Sequence, residues 1–504
     1  MNRLSAPGTK HQKWLRLALC LLAGLLAVGF FSAGGFAARA AGPGSSTATG
    51  SSTAGDDAVG EITTGISLEH SGGLGTGVLL DRNRSTSITP AGGDTIGITS
   101  ETPFTRIYLV WDRPPAAWEL EAGGATSRGG SYGYLHELAT LETPVTEATL
   151  TLGEGENILC DIYLFGDAPL PDWVQQWQPP CEKADLVVFS THADDEHLFF
   201  GGILPTYAGE QGLAVQVVYM TNHWGERYRP HELLDGLWTV GVTAYPVIGP
   251  FPDLYASLES LASAESVFDR DEVLAFQVEM LRRFKPLVAA GHDLNGEYGH
   301  GAHILNAQTL VEALELTADE TAYPESAAQY GTWDVPKTYL HLYPENEIIM
   351  DWTVPLERFG GATAFEMAEA GFAKHTSQVT YFSVQLGGTW EDCRKFGLVR
   401  STVGPDVAGN DLFENIDMTP EPEPAPEPES VPVTSIIPAE GDSLPGEHSA
   451  FISLPASTQQ PSDSGSSWVI MVAVAAVVVI VVLVAVLVRV NRGGKKGGKG
   501  RRRW

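Results

Sequence analysis

The spacing of hydrophobic and polar positions divides the chain into stretches that predict different elements. After a basic, polar start, Leu17 to Ala33 is apolar and rich in Leu, Ala and Gly. Residues 41–58 are dominated by Gly, Ser, Thr and Ala, which predicts a flexible leader. Residues 59–168 hold short β-rich runs separated by Gly, Pro and Asp, among them Thr95 to Ile98, Thr105 to Trp111 and Asn157 to Phe165. Short strands with turn signals between them predict a β-sandwich. From 185 to 396 the pattern changes. Leu186 to Ser190, Ala214 to Met220, Ala244 to Ile248 and Leu287 to Ala290 read as buried strands, with helical periodicity over 229–240 and 271–284. Strands alternating with helices predict an α/β, Rossmann-like domain with a mainly parallel sheet, whose sites form at the carboxyl ends of its strands. Residues 418–467 carry a Pro-Glu tract, Thr419 to Glu429. Proline lacks a donor and the glutamates repel, so this segment reads as an extended stalk. Trp468 to Val488 is an unbroken apolar run, long enough at about 1.5 Å per residue to cross a hydrocarbon core of about 30 Å.

The two ends bring in location. Arg3, Lys10, Lys13 and Arg16 precede the first apolar stretch and Ala38-Arg39-Ala40 follows it, so residues 1–40 read as a secretory signal peptide. Residues 489–504 are strongly basic and read as a cytoplasmic tail behind a transmembrane helix at 468–488. The expected location is the cell membrane, single-pass, with the bulk of the chain extracellular. With 504 residues, 43% of them hydrophobic, the chain can bury a large core in more than one domain. Its 62 acidic against 31 basic residues argue against nucleic acid as a partner, which needs a basic face to hold phosphates. Beyond the signal segment, Cys160, Cys181 and Cys393 permit one bridge, with Cys160 and Cys181 the nearer pair.

Candidate chemistry lies in two clusters, each just past a parallel strand. Thr191-His192-Ala193-Asp194-Asp195-Glu196-His197 follows the first strand of the α/β region. His192 and Asp195 are close enough for one turn to aim both at a single ion, and imidazole nitrogen with carboxylate oxygen suits zinc. Asp194, between them, is free to act as a base. Alone, the cluster could equally cap the next helix. The second cluster, His292 to His303, opens a later helix with His300 and His303 one turn apart. Capping does not explain two such clusters. Three ligands, His192, Asp195 and His303, leave a fourth position open for water, as in catalytic rather than structural zinc sites. His223, His231, His341 and His375 read as hydrogen-bonded structural residues.

His-Ala-Asp-Asp-Glu at 192–196 and Tyr298-Gly-His-Gly-Ala-His303 resemble the PIG-L (LmbE-like) family of zinc-dependent N-deacetylases over residues 185–380. Gly201-Gly202, Arg229-Pro-His-Glu232, Phe251-Pro-Asp253 and Lys374-His375-Thr-Ser-Gln378 follow in the family's order, while Ala193 replaces the usual proline. The resemblance implies one Zn2+ held by His192, Asp195 and His303. It implies Asp194 as general base, His300 as acid or electrostatic partner, Tyr298 steadying the oxyanion, and Arg229 and Asp253 positioning substrate. The runs Ile107 to Asp112 and Ile162 to Gly166 resemble discoidin, or factor 5/8 C-type, jelly rolls, which implies a glycan ligand for the β-sandwich.

The expected function is a surface-anchored zinc hydrolase that deacetylates N-acetylated amino sugars. A surface adhesin that binds glycan, with a catalytically degenerate α/β domain, is the alternative from another class. A zinc hydrolase of other amides or esters is a third. Acetate release abolished by chelation separates the first from the second, and a substrate panel separates it from the third.

Overall fold

The computed structural model of the chain describes residues 60–419. The signal segment, the leader to residue 59 and the membrane run at 468–488 with its basic tail lie outside the described residues, as does all but the start of the Pro-Glu stalk.

Strands β1 (Glu61–Ile62), β2 (Ile66–His70), β3 (Thr95–Trp111), β4 (Trp118–Ala122), β5 (Ala125–Gly129), β6 (His136–Leu152) and β7 (Leu159–Phe165) form one antiparallel sheet. Its order is β1-β7-β3-β6-β4-β5, with β2 also on β3. All seven strands are thus hydrogen-bonded into one sheet. The register between β3 and β6 shifts around Phe104. On its other edge, the first half of β3 pairs with β2 and its second half with β7. Ile96 and Ile98 from one half and Ile107 and Leu109 from the other join the same buried cluster. Tyr108 and Val110, on the opposite face of β3, are buried instead with Tyr163, Phe165 and Val174.

The second sheet contains β8 (Leu186–Ser190), β9 (Val215–Asn222), β10 (Val247–Pro252), β11 (Val288–Gly291), β12 (Lys337–His341), β13 (Glu347–Ile349) and β14 (Lys395–Ser401), in the order β10-β9-β8-β11-β12-β14-β13. The first five of that order run parallel, β14 runs antiparallel to them, and β13 pairs antiparallel with β14. Both faces are covered, as a parallel sheet requires. Leu186 and Val188 belong to the core on one face, Val187 and Phe189 to the core on the other. The helices are α1 (Asp195–Leu198), α2 (Arg229–Thr239), α3 (Leu261–Glu265), α4 (Arg270–Phe284), α5 (Gly301–Leu316), α6 (Pro324–Tyr330) and α7 (Ala364–Phe372). The Asp269 side chain starts α4 by accepting from the Asp271 and Glu272 amides.

The two sheets share polar as well as apolar contacts. On β3 and β6, Tyr108 Oη and His136 Nδ1 are 2.8 Å apart, and His136 Nε2 is 2.9 Å from His231 Nδ1 on α2. Burial holds both imidazoles well below the usual histidine range, so the line is uncharged.

Two expectations are corrected here. Among the described residues no helix is long and apolar enough to cross a membrane. The longest, α5, has 16 residues and reaches about 24 Å, short of the about 30 Å needed. The single-pass, cell-membrane localisation is therefore withdrawn. Cys160, Cys181 and Cys393 are all free thiols, so the Cys160–Cys181 bridge does not form.

Candidate metal-dependent active site

β8 and β11 lie side by side, and the strand order runs outward from them in opposite directions. In such sheets a crevice opens at this point, beyond the carboxyl ends of the strands. Both histidine clusters arrive there. The turn from β8 into α1 carries His192, Asp194 and Asp195, and the start of α5 carries His303.

His192 Nδ1 is 3.1 Å from His303 Nε2. Asp195 Oδ2 is 3.2 Å from each of those nitrogens. For bonds of about 2.0–2.1 Å, a tetrahedral ion spaces its ligand atoms about 3.3 Å apart, so this triangle fits a small divalent ion. Burial alone would raise the Asp195 carboxyl, but His303 and His192 hold it well below the usual carboxylate range. Burial opposes the charge on His303, yet Asp195 and Glu297 push the imidazole up to about 10. The site is thus arranged for a cation.

The sequence reading did not single out Glu297, a carboxylate the ligands depend on. It is 0% exposed and sits in the turn between β11 and α5. Its Oε2 is 2.7 Å from His303 Nδ1 and 3.0 Å from His292 Nδ1, and its Oε1 is 2.7 Å from His341 Nδ1. The Asp293 amide donates to it as well. Burial would raise its carboxyl, and these histidines pull it far down instead. By holding the Nδ1 proton of His303, Glu297 leaves Nε2 free to face Asp195, the usual carboxylate–histidine–metal arrangement. An acid five residues after one histidine and six before another was the available signal.

Asp194 adopts φ 126°, a strained backbone for a residue with a side chain. Burial raises its carboxyl to about 6 against the pull of Arg229, whose Nη1 is 3.6 Å away. Arg229 is itself buried and also donates to the Ala193 carbonyl. It therefore grips the turn beside Asp194. Asp253 stands at the rim, 3.6 Å from His192 Nε2 and 3.4 Å from His223 Nδ1.

His300 caps α5 by accepting from the Ala302 amide at Nδ1, which leaves the ring proton on Nε2. Burial, with His303 and His192 alongside, keeps this ring well below the usual range and neutral. Its ring centre is 4.7 Å from that of His192. Tyr298 has φ 49° and is 41% exposed. Its ring packs against Trp390 and Phe382, with centroids 5.3 and 5.9 Å away, and burial raises its phenol. Phe382 and Trp390 also line a pocket of about 210 Å³ with Leu198, Phe199 and Tyr381.

Against known sequences, the chain is 29% identical over 272 residues to 1D-myo-inositol 2-acetamido-2-deoxy-alpha-D-glucopyranoside deacetylase 2 of Saccharopolyspora erythraea, covering 45% of this chain and 98% of that one. It is 26% identical over 215 residues to deacetylase 1 of that type from Catenulispora acidiphila, covering 38% of this chain and 65% of the relative. These relatives are deacetylases. The chain spans less than two thirds of the Catenulispora protein's own length. Among solved structures, N,N'-diacetylchitobiose deacetylase of Pyrococcus horikoshii aligns with 17% identity and a TM-score of 0.30, over 40% of this chain and 72% of that one. No family model matches the chain.

Proposed function

We propose that the chain is a zinc-dependent hydrolase that removes acetyl groups from N-acetylated amino sugars. The observation that carries this reading is the buried triangle of His192 Nδ1, His303 Nε2 and Asp195 Oδ2, with sides of 3.1 and 3.2 Å. The substrate class follows from the curated relatives, which are named for a 2-acetamido sugar.

Zinc at this triad would polarise an amide carbonyl and acidify water. The chain's own groups supply the rest. Asp194, with its carboxyl at about 6, is ionised at neutral pH and takes a proton as general base. Arg229 orients that carboxylate. His300 is neutral with its proton on Nε2, so it donates to the oxygen or nitrogen on which charge develops. Tyr298 keeps its hydroxyl proton and offers a second donor. Asp253, at the rim, is placed to accept from a sugar hydroxyl. The aromatic pocket beside Tyr298 suits the apolar face of a sugar ring.

The test is acetate release from a panel of N-acetylglucosamine compounds, before and after removal of metal and again after zinc is restored. Release that stops on chelation and returns with zinc supports the reading. Release unaffected by chelation refutes the metal role, and no release from any member refutes the substrate class.

A further inference from the structure

A second group of metal-ligating side chains lies one residue along the chain from Asp195, and the hydrolase reading does not use it. Glu196 and His197 are in α1, and His375 follows α7 in the same sheet-covering layer of chain. All three are completely buried. Glu196 Oε2 accepts from the Asp194 amide at 2.8 Å, which leaves Oε1 pointing elsewhere. Glu196 Oε1 is 3.3 Å from His375 Nε2 and 3.5 Å from His197 Nε2. One ligand atom from each residue falls within 4.8 Å of the other two.

None of these atoms makes a hydrogen bond. Glu196 Oε1 and both ring nitrogens of His197 and of His375 are without partners. Buried polar groups are almost always satisfied, so five orphaned atoms on three adjacent side chains call for a missing partner. The sequence expectation that His375 is a hydrogen-bonded structural residue does not describe it.

The surroundings are shaped to leave this space clear. A Cβ on Gly236 of α2 would lie 2.6 Å from His197 Nε2 and 2.9 Å from His375 Nε2. A Cβ on Gly371 of α7 would lie 2.4 Å from the His197 ring. Two helices thus present bare backbone at the point where the two Nε2 atoms converge.

We propose that Glu196, His197 and His375 hold a second divalent transition-metal ion of the zinc type. Two imidazole nitrogens and one carboxylate oxygen are the donor set such ions prefer, and separations of 3.3 and 3.5 Å match the about 3.3 Å edge of a tetrahedral site. Complete burial makes the ion structural. It clamps the turn that follows β8 to the segment that follows α7, and so steadies Asp195 from the side away from the crevice.

The test is zinc content of the full chain after equilibration in a zinc-buffered solution. Wild type should hold two ions. His303→Ala should hold one, whatever its acetate release, because the second cluster is untouched. His197→Gln should also hold one, and the His197→Gln/His303→Ala double variant none. A wild-type content of one ion, lost entirely in His303→Ala, overturns the second site while leaving the hydrolase reading in place. A double variant that retains as much zinc as His303→Ala also overturns it, because the remaining ion then does not depend on His197. Anomalous diffraction at the zinc edge on wild-type crystals needs no substitution. A peak among Glu196, His197 and His375 is expected, and its absence overturns the proposal.

Discussion

Glu297 and Glu196 are both fully buried carboxylates set among histidines, close to the same strand ends, yet their hydrogen bonding is opposite. Glu297 takes protons from three imidazoles and one amide, and no oxygen is spare. Glu196 stands farther from its two imidazoles, at 3.3 and 3.5 Å, and its Oε1 and all four of their ring nitrogens are unpartnered. The contrast separates two jobs for one residue type. A carboxylate whose oxygens are all occupied orients other groups. A carboxylate with an idle oxygen, facing idle nitrogens, is itself a ligand. Buried groups without partners are costly, so the second arrangement persists only when something else completes it.

The comparison can be broken most severely at His303. His303→Ala removes the ligand that Glu297 orients, and should empty the first site and abolish acetate release. Full zinc occupancy with unchanged turnover would show that Glu297 orients nothing of consequence. Asp194→Asn should keep the metal and lower kcat by about 10²–10⁴-fold, the usual range for a positioned base. Metal analysis beside kcat checks this, and loss of the ion would make Asp194 a ligand. Glu297→Gln should leave the three ligands in place but weaken metal binding by about 10–100-fold, as loss of an orienting partner does. Competition with a chelator measures it, and unchanged affinity would reduce Glu297 to a structural acid. Gly371→Ala probes the other cluster. Its Cβ would press on the His197 ring, so unfolding in urea should show a loss of about 1–3 kcal/mol.

A third buried carboxylate sharpens the contrast by having no histidine. Asp161 on β7 accepts from the Arg82 amide, while its other oxygen is unpartnered. Burial raises it to about 6, with Arg82 opposing. A folded-state value above the unfolded value of about 3.9 means that the folded chain holds the proton more tightly. Stability should therefore rise as pH falls from about 6 to about 4, and Asp161→Asn should flatten that part of the profile. A wild-type profile that falls over this window would contradict the assignment.

What could be read from sequence was local. Leu186 to Phe189 is apolar throughout and became most of β8, and the residues that follow the strand stand in the turn where an α/β sheet opens. Glu297 escaped because its partners come from three places, at 292, 303 and 341, and only folding assembles them. β12 escaped for a related reason. Lys337-Thr-Tyr-Leu-His341 has polar residues at fully buried positions, which no periodicity marks as a strand. They are tolerated because Lys337 reaches Asp406 at 2.5 Å and His341 reaches Glu297. β10 lies farther along the chain than the apolar run at 244–248 suggests. Gly249 and Pro250 look like breakers, but β10 is an edge strand, where proline costs no ladder bond, and a Cβ at 249 would strike the Met220 carbonyl. The contact between Arg229, expected to position substrate, and Asp194 is one that its spacing in the chain did not encode.

The line Tyr108–His136–His231 limits how freely the antiparallel sheet of this chain could be exchanged for another. Here an exchange would not be free. Replacing the antiparallel sheet with a foreign one would strip the His231 side chain of its hydrogen-bond partner among the described residues, inside the helix whose first residue is Arg229. Any newcomer would have to rebuild a neutral donor–acceptor line against α2, or disturb the grip on Asp194 at the helix start. In this chain the antiparallel sheet and the catalytic turn are thus joined through one helix, so a change at His136 is felt where Arg229 meets Asp194.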